Sequence, residues 1–254
     1  MDEATNWAVE ALCTAAWPAL AERSVAGWRL TYAAGVSRRS NSANPTPGAT
    51  LDLDAVVDAC AQFYRERSLP SRFRILSFLS SGLDDRLAGR GYEWESETRT
   101  LCAPELTKAE IGAETDLTTL RDEEWIHGVT AAQGRNRADS ETYARILARL
   151  STPVAFAAAR NAQGETVSFA YAGLKQGRIC IESVVTRADH RGRGFARKTV
   201  GALMAWGRGQ GAQAAVLQVQ AENHAAVRLY QGLGFSLELY RYHYRTLWPE
   251  PGCA

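Results

Sequence analysis

The stretch Val184-Val185-Thr186-Arg187-Ala188-Asp189-His190-Arg191-Gly192-Arg193-Gly194-Phe195-Ala196-Arg197-Lys198 constrains this chain more than any other. An apolar run that reads as a strand passes into a basic, glycine-bearing loop, and the loop opens a segment that reads as a helix. Unpaired backbone N–H groups and the positive end of the helix then converge on one spot, an arrangement that holds phosphate. Gly192, Gly194 and the small Ala196 let the backbone approach a pyrophosphate, where a bulky side chain would stand between amide and oxygen. Arg191, Arg193, Arg197 and Lys198 add positive charge at the same place.

Two phosphate-binding patterns fit this loop poorly. A Rossmann fingerprint requires G-x-G-x-x-G, but counting from Gly192 puts Arg197 at the third glycine, and no acidic residue closes the next strand. A P-loop requires Gly-Lys-Ser/Thr, and Lys198-Thr199 lacks the preceding glycine.

The flanking pattern narrows the choice. Val154–Arg160, Thr166–Leu174 and Arg178–Thr186 are short apolar or alternating runs split by turn-forming Asn161-Ala162-Gln163-Gly164 and Lys175-Gln176-Gly177, which reads as a β-meander. Phe195–Arg208 carries Val200, Leu203, Met204 and Trp206 at helical spacing and stops among Gly207, Gly209 and Gly211. Ala214–Val219 reads as a strand, Asn223 as the cap of a helix to Gln231, and Gly232-Leu233-Gly234 as its end before a last strand through Tyr244. The order is βββαβαβ. Leu117–Gln133 and Ser140–Leu150 read as two helices ahead of it. Further upstream the pattern predicts a helix near Asn6–Arg23, a strand from Trp28, a polar loop over Ser40–Thr50, a helix over Asp54–Arg67 and a strand over Arg72–Phe78.

Arg191-x-x-Gly194-x-Ala196 resembles the acetyl-CoA signature Arg/Gln-x-x-Gly-x-Gly/Ala of the GNAT superfamily of N-acetyltransferases. Asn223, Ala226, Leu229, Tyr230, Gly234 and Phe235 match the spacing of that family's Asn-x-x-Ala-x-x-Leu-Tyr-x-x-x-Gly-Phe helix. The resemblance runs from about residue 115 to 247. It implies an α/β GNAT fold, a mixed, splayed central β-sheet flanked by helices, with acetyl-CoA as co-substrate and no metal. It also implies that the strand at Val184, Val185 and Thr186 splays from its neighbour and offers backbone groups to the pantetheine arm. The implied cofactor contacts continue through Arg191, Gly192, Arg193, Gly194, Phe195, Ala196, Arg197, Asn223 and Tyr230.

In this family an amine attacks the thioester directly. The enzyme must therefore take a proton from an ammonium group, steady a tetrahedral oxyanion and return a proton to the departing thiolate. Tyr230 is the candidate acid, and a phenol of pKa about 10 facing a thiol of about 8.5 makes that donation modestly uphill. A backbone N–H near Val185 is the candidate oxyanion donor. Glu182 lies two residues before Val184, so strand alternation puts both on one face and makes it a candidate base acting through water. The same spacing fits a salt-bridged strand carboxylate. Tyr230 could equally be a core tyrosine, and Asn223 is a helix cap before it is a cofactor contact. His190 and His224 read as surface residues, and Cys180 as a packing residue.

Leu83-Asp84-Asp85-Arg86-Leu87-Ala88-Gly89-Arg90-Gly91-Tyr92 parallels Ala226 to Phe235, a helix closing on Gly-aromatic before a strand. The resemblance to tandem members of the family thus implies a degenerate GNAT-like domain over 1–110 ahead of a catalytic GNAT domain over 111–254. A plain αβ extension is the competing reading. Leu87 stands where Tyr230 does, and the loop Asn41–Gly48 has no Arg-x-x-Gly-x-Gly, so the first half is expected to buttress the second without binding acetyl-CoA. Trp28, Arg38, Arg39 and Asn41 are candidate lining residues, each also compatible with a structural role.

A cleft closed by a second domain suits a compact amine. Asp122, Glu123 and Trp125 fall in the first helix of the active half, the side from which family members grip acceptors, and carboxylates there suit a cationic aminoglycoside, polyamine or basic amino acid. A protein acceptor, an amino-terminal α-amine or a lysine, is the alternative within the family. A non-catalytic CoA-binding protein is the alternative outside it, and it gives no reason to keep Arg191, Gly194, Ala196 and Tyr230 together.

Charge and cysteine usage bound the partners. The chain of 254 residues carries 29 Lys+Arg against 28 Asp+Glu, so no global field holds a nucleic acid or an anionic membrane. Cys13, Cys60, Cys102, Cys180 and Cys253 are widely spaced with no CxxC pair, which fits a reducing cytoplasm. The acidic first residues and the lack of an apolar run near ~20 residues point away from a leader or a membrane span. A monomer or homodimer acting on a small-molecule amine is the expectation.

Overall fold

The computed structural model describes residues 2–50, 54–79, 82–106, 112 and 114–249. Cys253 and the expected boundary between 110 and 111 lie outside the described residues.

The chain opens with α1 (Glu3–Ala16), capped by Asp2, whose carboxylate accepts from the Thr5 N–H at 2.9 Å. The helix expected to reach Arg23 stops at Ala16, because Pro18 bars Trp17 from helical backbone. Then come β1 (Ala21–Val25), β2 (Trp28–Tyr32), β3 (Ala43–Pro45), α2 (Asp54–Arg65), β4 (Ser71–Leu76), α3 (Gly82–Ala88) and β5 (Glu93–Ala103). The segment expected as a polar loop thus contains a strand, β3, buried at all three positions.

The second half runs β6 (Thr115–Thr118), α4 (Glu123–Ala132), α5 (Arg137–Ala148), β7 (Val154–Arg160), β8 (Thr166–Lys175), β9 (Arg178–Thr186), α6 (Phe195–Gly209), β10 (Ala214–Gln220), α7 (His224–Gln231) and β11 (Leu237–Leu247). The meander and the two helices after it fall where the pattern puts them. The helix expected from Leu117 is instead a strand, β6, followed by a helix that starts at Glu123 with Asp122 as its cap. Leu117 pairs with Ala157 in the sheet, and Asp122 accepts from the Glu124 N–H at 3.0 Å.

All eleven strands form one sheet in the order β1-β2-β3-β4-β11-β5-β10-β9-β8-β7-β6. Elements β1 to β5 and β7 to β11 repeat the same βββαβαβ order, and β3 is parallel to β4 as β9 is parallel to β10. The helix ends match bond for bond. Arg90, Gly91 and Tyr92 N–H donate to Leu87, Ala88 and Leu87, as Leu233, Gly234 and Phe235 donate to Tyr230, Gln231 and Tyr230. Gly91 and Gly234 both adopt positive φ, 81° and 94°.

The two halves nevertheless do not form separate sheets. Strand β5 leaves β4 and pairs with β10, while β11 pairs with β4, and β5 and β11 pair with each other at the centre. The single continuous sheet does not show a distinct amino-terminal domain beside a catalytic one. Each half gives its last strand to the other and so covers an edge its partner would leave open.

Alternation along β8 sorts the layers of the second half. Ala170 and Ala172 face α6, whereas Phe169 and Tyr171 face α4 and α5 together with Trp125, Tyr143 and Phe156. Helix α1 packs on β8 and β9 of the other half as well as on Leu76 and Phe78 of its own: the Tyr171 hydroxyl donates to Ala16 O at 2.6 Å, and the Cys13 and Cys180 sulfurs lie 3.6 Å apart. Close approach requires Gly173, where an added Cβ would sit 3.4 Å from that of Ala16 and 3.2 Å from Thr152 Oγ1.

Candidate active site

Strands β9 and β10 run parallel from Arg178 opposite Ala214 to Ile181 opposite Leu217, and then part. Glu182 to Thr186 and Gln218 to Gln220 line the two walls of the resulting cavity, whose volume is about 680 Å³. The splay begins at a bulge. Glu182 pairs with Tyr171 and Val185 with Phe169, so three steps on β9 match two on β8, and Ser183 sits at φ 58°. Left-handed backbone at a non-glycine residue costs about 1–2 kcal/mol. Glu182 and Val184 both face the cavity, but through this kink and not through an unbroken period of two.

The loop after β9 is built to accept an anion. A short 3-10 turn at Ala188–His190 leads into Gly192 and Gly194 at φ 76° and 83°, where a Cβ would meet no atom within 4 Å. Glycine is therefore required by conformation, and the space above it is open. No side chain caps α6, and the backbone N–H groups of Gly192 through Arg197 donate to no acceptor among the described residues. A run of six unspent donors at a helix start fits a pyrophosphate.

Val184, Val185, Thr186, Arg191, Ala196, Asn223 and Tyr230 share the cavity, and Gly192, Arg193, Gly194, Phe195 and Arg197 form the loop and helix start beside it. Arg191 Nε donates to Thr186 O at 3.2 Å, tying the loop to the splayed strand. Arg197 reaches the end of α7, its Nη1 donating to Gly232 O at 2.9 Å. Asn223 caps α7, accepting from the Ala226 N–H at 3.1 Å.

Tyr230 on α7 is 7% exposed, and its hydroxyl bonds to no protein group among the described residues. Burial, with the Glu182 carboxylate adding to it, pushes the phenol well above its ordinary range. It therefore stays protonated at neutral pH as a donor. Glu182 Oε1 accepts from Arg39 Nη2 at 2.7 Å and from Cys180 Sγ at 3.5 Å. Burial works against charge on Arg39, but Glu182 outweighs it and keeps the guanidinium charged. The Cys13 thiol and burial push the Cys180 thiol far up, consistent with packing and not with nucleophilic attack.

A buried charge chain continues behind this pair. Arg39 Nη1 donates to Gln218, Gln218 Nε2 lies 3.5 Å from Glu10 Oε1, and Glu10 takes two bonds from Arg74 and one from Tyr240. Burial raises the Glu10 pKa, yet the charge of Arg74 prevails and holds it below its ordinary range. Glu10, Arg74 and Gln218 come from α1, β4 and β10, and no motif marks them.

Asp122, Glu123 and Trp125 do not reach the cavity. Because α4 starts at Glu123 and not Leu117, its first turn lies by β6 and β7 and its far end, at Gln133 and Arg135, meets the cleft. Asp122 and Trp125 line a separate cavity of about 290 Å³, with the buried indole donating to Ala157 O at 3.1 Å, and Glu123 faces an exposed groove between α4 and α5. Of the lining candidates in the first half, Arg38 and Arg39 enter the cavity. Trp28 sits in the amino-terminal core, and Asn41 is spent on the Ala33 and Gly35 N–H groups. The cavity is also lined by Trp17, Ser37, Ser96, Arg135, Tyr242 and Tyr244. His190 is held by Asn161 and Asp189, and His224 is exposed.

Among the described residues no cluster of three His, Cys, Asp or Glu side chains could hold a metal ion, and no helix is long and apolar enough to cross a membrane.

Known proteins give the arrangement a context. A family model described as probable histone acetyltransferase Rv0428c C-terminal matches residues 5–245. The chain is 28% identical to the uncharacterized N-acetyltransferase YobR of Bacillus subtilis (strain 168) over 247 residues, covering 93% of this chain and 96% of that protein. Its fold is similar to that of a GCN5-related N-acetyltransferase from Kribbella flavida, with a TM-score of 0.65 at 16% identity over 96% of this chain and 94% of the other. It is also similar to a tandem GNAT protein from the clavulanic acid biosynthesis pathway, with a TM-score of 0.60 at 14% identity over 83% and 76% of the two chains.

Proposed function

This chain belongs to the Rv0428c C-terminal acetyltransferase family and is an N-acetyltransferase of the GNAT fold, and on that premise we propose that it carries acetyl from acetyl-CoA to the primary amine of a small molecule by direct attack in the cleft between β9 and β10. The observation that carries this is the row of unspent N–H groups from Gly192 to Arg197, at the mouth of the cavity that also holds Tyr230 and Glu182.

Acetyl-CoA supplies an activated thioester. The loop from Arg191 to Arg197 holds its pyrophosphate, and the free edge of Glu182 to Thr186 pairs with the pantetheine arm. The Val185 N–H steadies the oxyanion, the Tyr230 phenol returns a proton to sulfur, and Glu182 draws a proton from the ammonium through water. The first half is a degenerate repeat of the second, over about 1–110 and 111–254, that has lost the anion loop and supplies Arg38 and Arg39. The repeated βββαβαβ order and the matching helix ends at Tyr92 and Phe235 support that reading. Free thiols at Cys13, Cys60, Cys102 and Cys180 suit a cytoplasmic setting.

The description of the matched family favours a second reading, a lysine side chain of a protein as acceptor. Walls from both halves close on the cavity and favour the compact one. Thiol release from acetyl-CoA, measured with small amines and with lysine peptides, separates the two. Calorimetry that detects no acetyl-CoA binding would overturn both.

A further inference from the structure

We propose that the acceptor carries a carboxylate as well as its amine, and that Arg135 is the residue that holds it. This rests on the cleft being the acetyl-transfer site.

The charges lining the acceptor side of the cavity do not cancel. Arg38, Arg39 and Arg135 bring three guanidinium groups, and Glu182 is the carboxylate that lines it with them. Glu182 is taken by Arg39, and Arg38 is taken by Glu95 outside the cavity lining. Arg135 has no carboxylate within ion-pair distance among the described residues. Asp139 acts on it only from farther off.

Arg135 is held in place with part of its fork free. Gly134 turns the chain at φ 68°, and the Arg135 N–H closes α4 by donating to Thr130 O at 3.0 Å. Its Nε donates to Gln133 Oε1 at 2.5 Å, a neutral acceptor, and among the described residues both Nη groups remain unspent. The guanidinium lies 5.1 Å from the centre of the Tyr143 ring, which packs 5.6 Å from Trp17. Burial lowers its affinity for the proton, the mark of a cation without a matching anion.

The position excludes two other uses. The pyrophosphate of acetyl-CoA has the α6 start and Arg191 on a different element, so Arg135 is surplus to it. A polyamine or aminoglycoside would bring further cations beside an unpaired guanidinium in a half-buried site, where like charges repel. A carboxylate fits because a guanidinium fork takes its two oxygens in parallel. The acceptor is then an amino acid or an amine of that type.

The test uses the full chain and a panel of the common amino acids, each beside its carboxamide, which keeps the amine and removes the charge. Thiol release with acetyl-CoA and calorimetry of the panel members alone are read for wild type, Arg135→Gln and Arg135→Lys. The expected result is an amino acid favoured over its amide by about tenfold or more, with Arg135→Gln abolishing the preference through KM and Arg135→Lys restoring part of it. No preference for any carboxylate over its amide, or equal weakening of both by Arg135→Gln, overturns the proposal. Calorimetry with acetyl-CoA runs beside it. If acetyl-CoA fails to bind, the acetyl-transfer reading falls, while the amino acid titrations still decide whether Arg135 holds a carboxylate.

Discussion

Nη2 of Arg39 lies 2.7 Å from Oε1 of Glu182, across the seam between the two halves of the chain. Arg39 belongs to the loop after β2, and Glu182 stands where β9 leaves β10. The contact thus ties the half without an anion loop to the strand whose free edge makes the cleft. Gln218, Glu10 and Arg74 extend it beneath the sheet, so the seam is polar where most of the interior is apolar.

Replacing Glu182 with Gln removes the charge that balances a nearly buried guanidinium. Breaking such a pair costs on the order of 3 kcal/mol. Urea unfolding should register that loss, and kcat should fall by about tenfold or more even where the variant is fully folded. If stability drops and kcat at full folding holds within about threefold, Glu182 is a structural ion-pair partner and the proton leaves the ammonium by another route.

Tyr230→Phe should cut turnover by about 10² to 10⁴, the range for lost acid catalysis. Its hydroxyl bonds to no protein group among the described residues, so unfolding midpoints should barely move. Because burial raises the phenol above its ordinary range, no deprotonation of Tyr230 should appear in the wild-type pH–rate profile below about pH 10. Equal rates for the two proteins would remove Tyr230 from the chemistry.

The second half was legible because its signals are local. Arg178–Thr186 is a largely apolar run bounded by turn residues and is a strand over those residues, and glycines punctuate α6 and α7. What was hidden depends on distant partners. Nothing in Glu93–Ala103 indicates that β5 pairs with β10 and not β4, since either neighbour satisfies its backbone. The bulge at Ser183 is likewise silent, because serine has no preference for positive φ. The place of Asp122 was hidden because acidic residues at a helix start also serve the cap and the dipole, and here Asp122 caps α4 beside a separate cavity. The backbone of the Arg191–Arg197 loop was legible, because positive φ at Gly192 and Gly194 is a property written in glycine spacing.

Gly194→Ala tests that loop. At φ 83° an alanine pays about 1–2 kcal/mol in conformation, and its Cβ meets no protein atom within 4 Å. The methyl group would instead occupy the open space assigned to the pyrophosphate. Acetyl-CoA affinity by calorimetry should drop by about tenfold or more, beyond what the folded fraction explains. Unchanged affinity would place the pyrophosphate elsewhere.

Asp84 supplies a pH-dependent clasp on the strand exchange. From α3 in the first half its carboxylate takes Arg245 Nε and Nη2, each at 2.7 Å, and meets His243 Nε2 at 2.6 Å, both partners lying on β11. The bond from Arg245 is the main cause that lowers its pKa from 3.8 to about 2. A carboxylate depressed on folding contributes its stability in full above the unfolded value, and loses it as pH falls through the folded one. The contribution should thus be complete above about pH 4 and vanish toward pH 2. Asp84→Asn should therefore lower the urea midpoint near pH 5 and converge on wild type as pH approaches 2, carboxylates common to both proteins cancelling in the difference. The site is partly open to water, so the gap near pH 5 should narrow in molar salt. A difference that stays constant from pH 5 to 2 would show that Asp84 is not the group titrating between the halves.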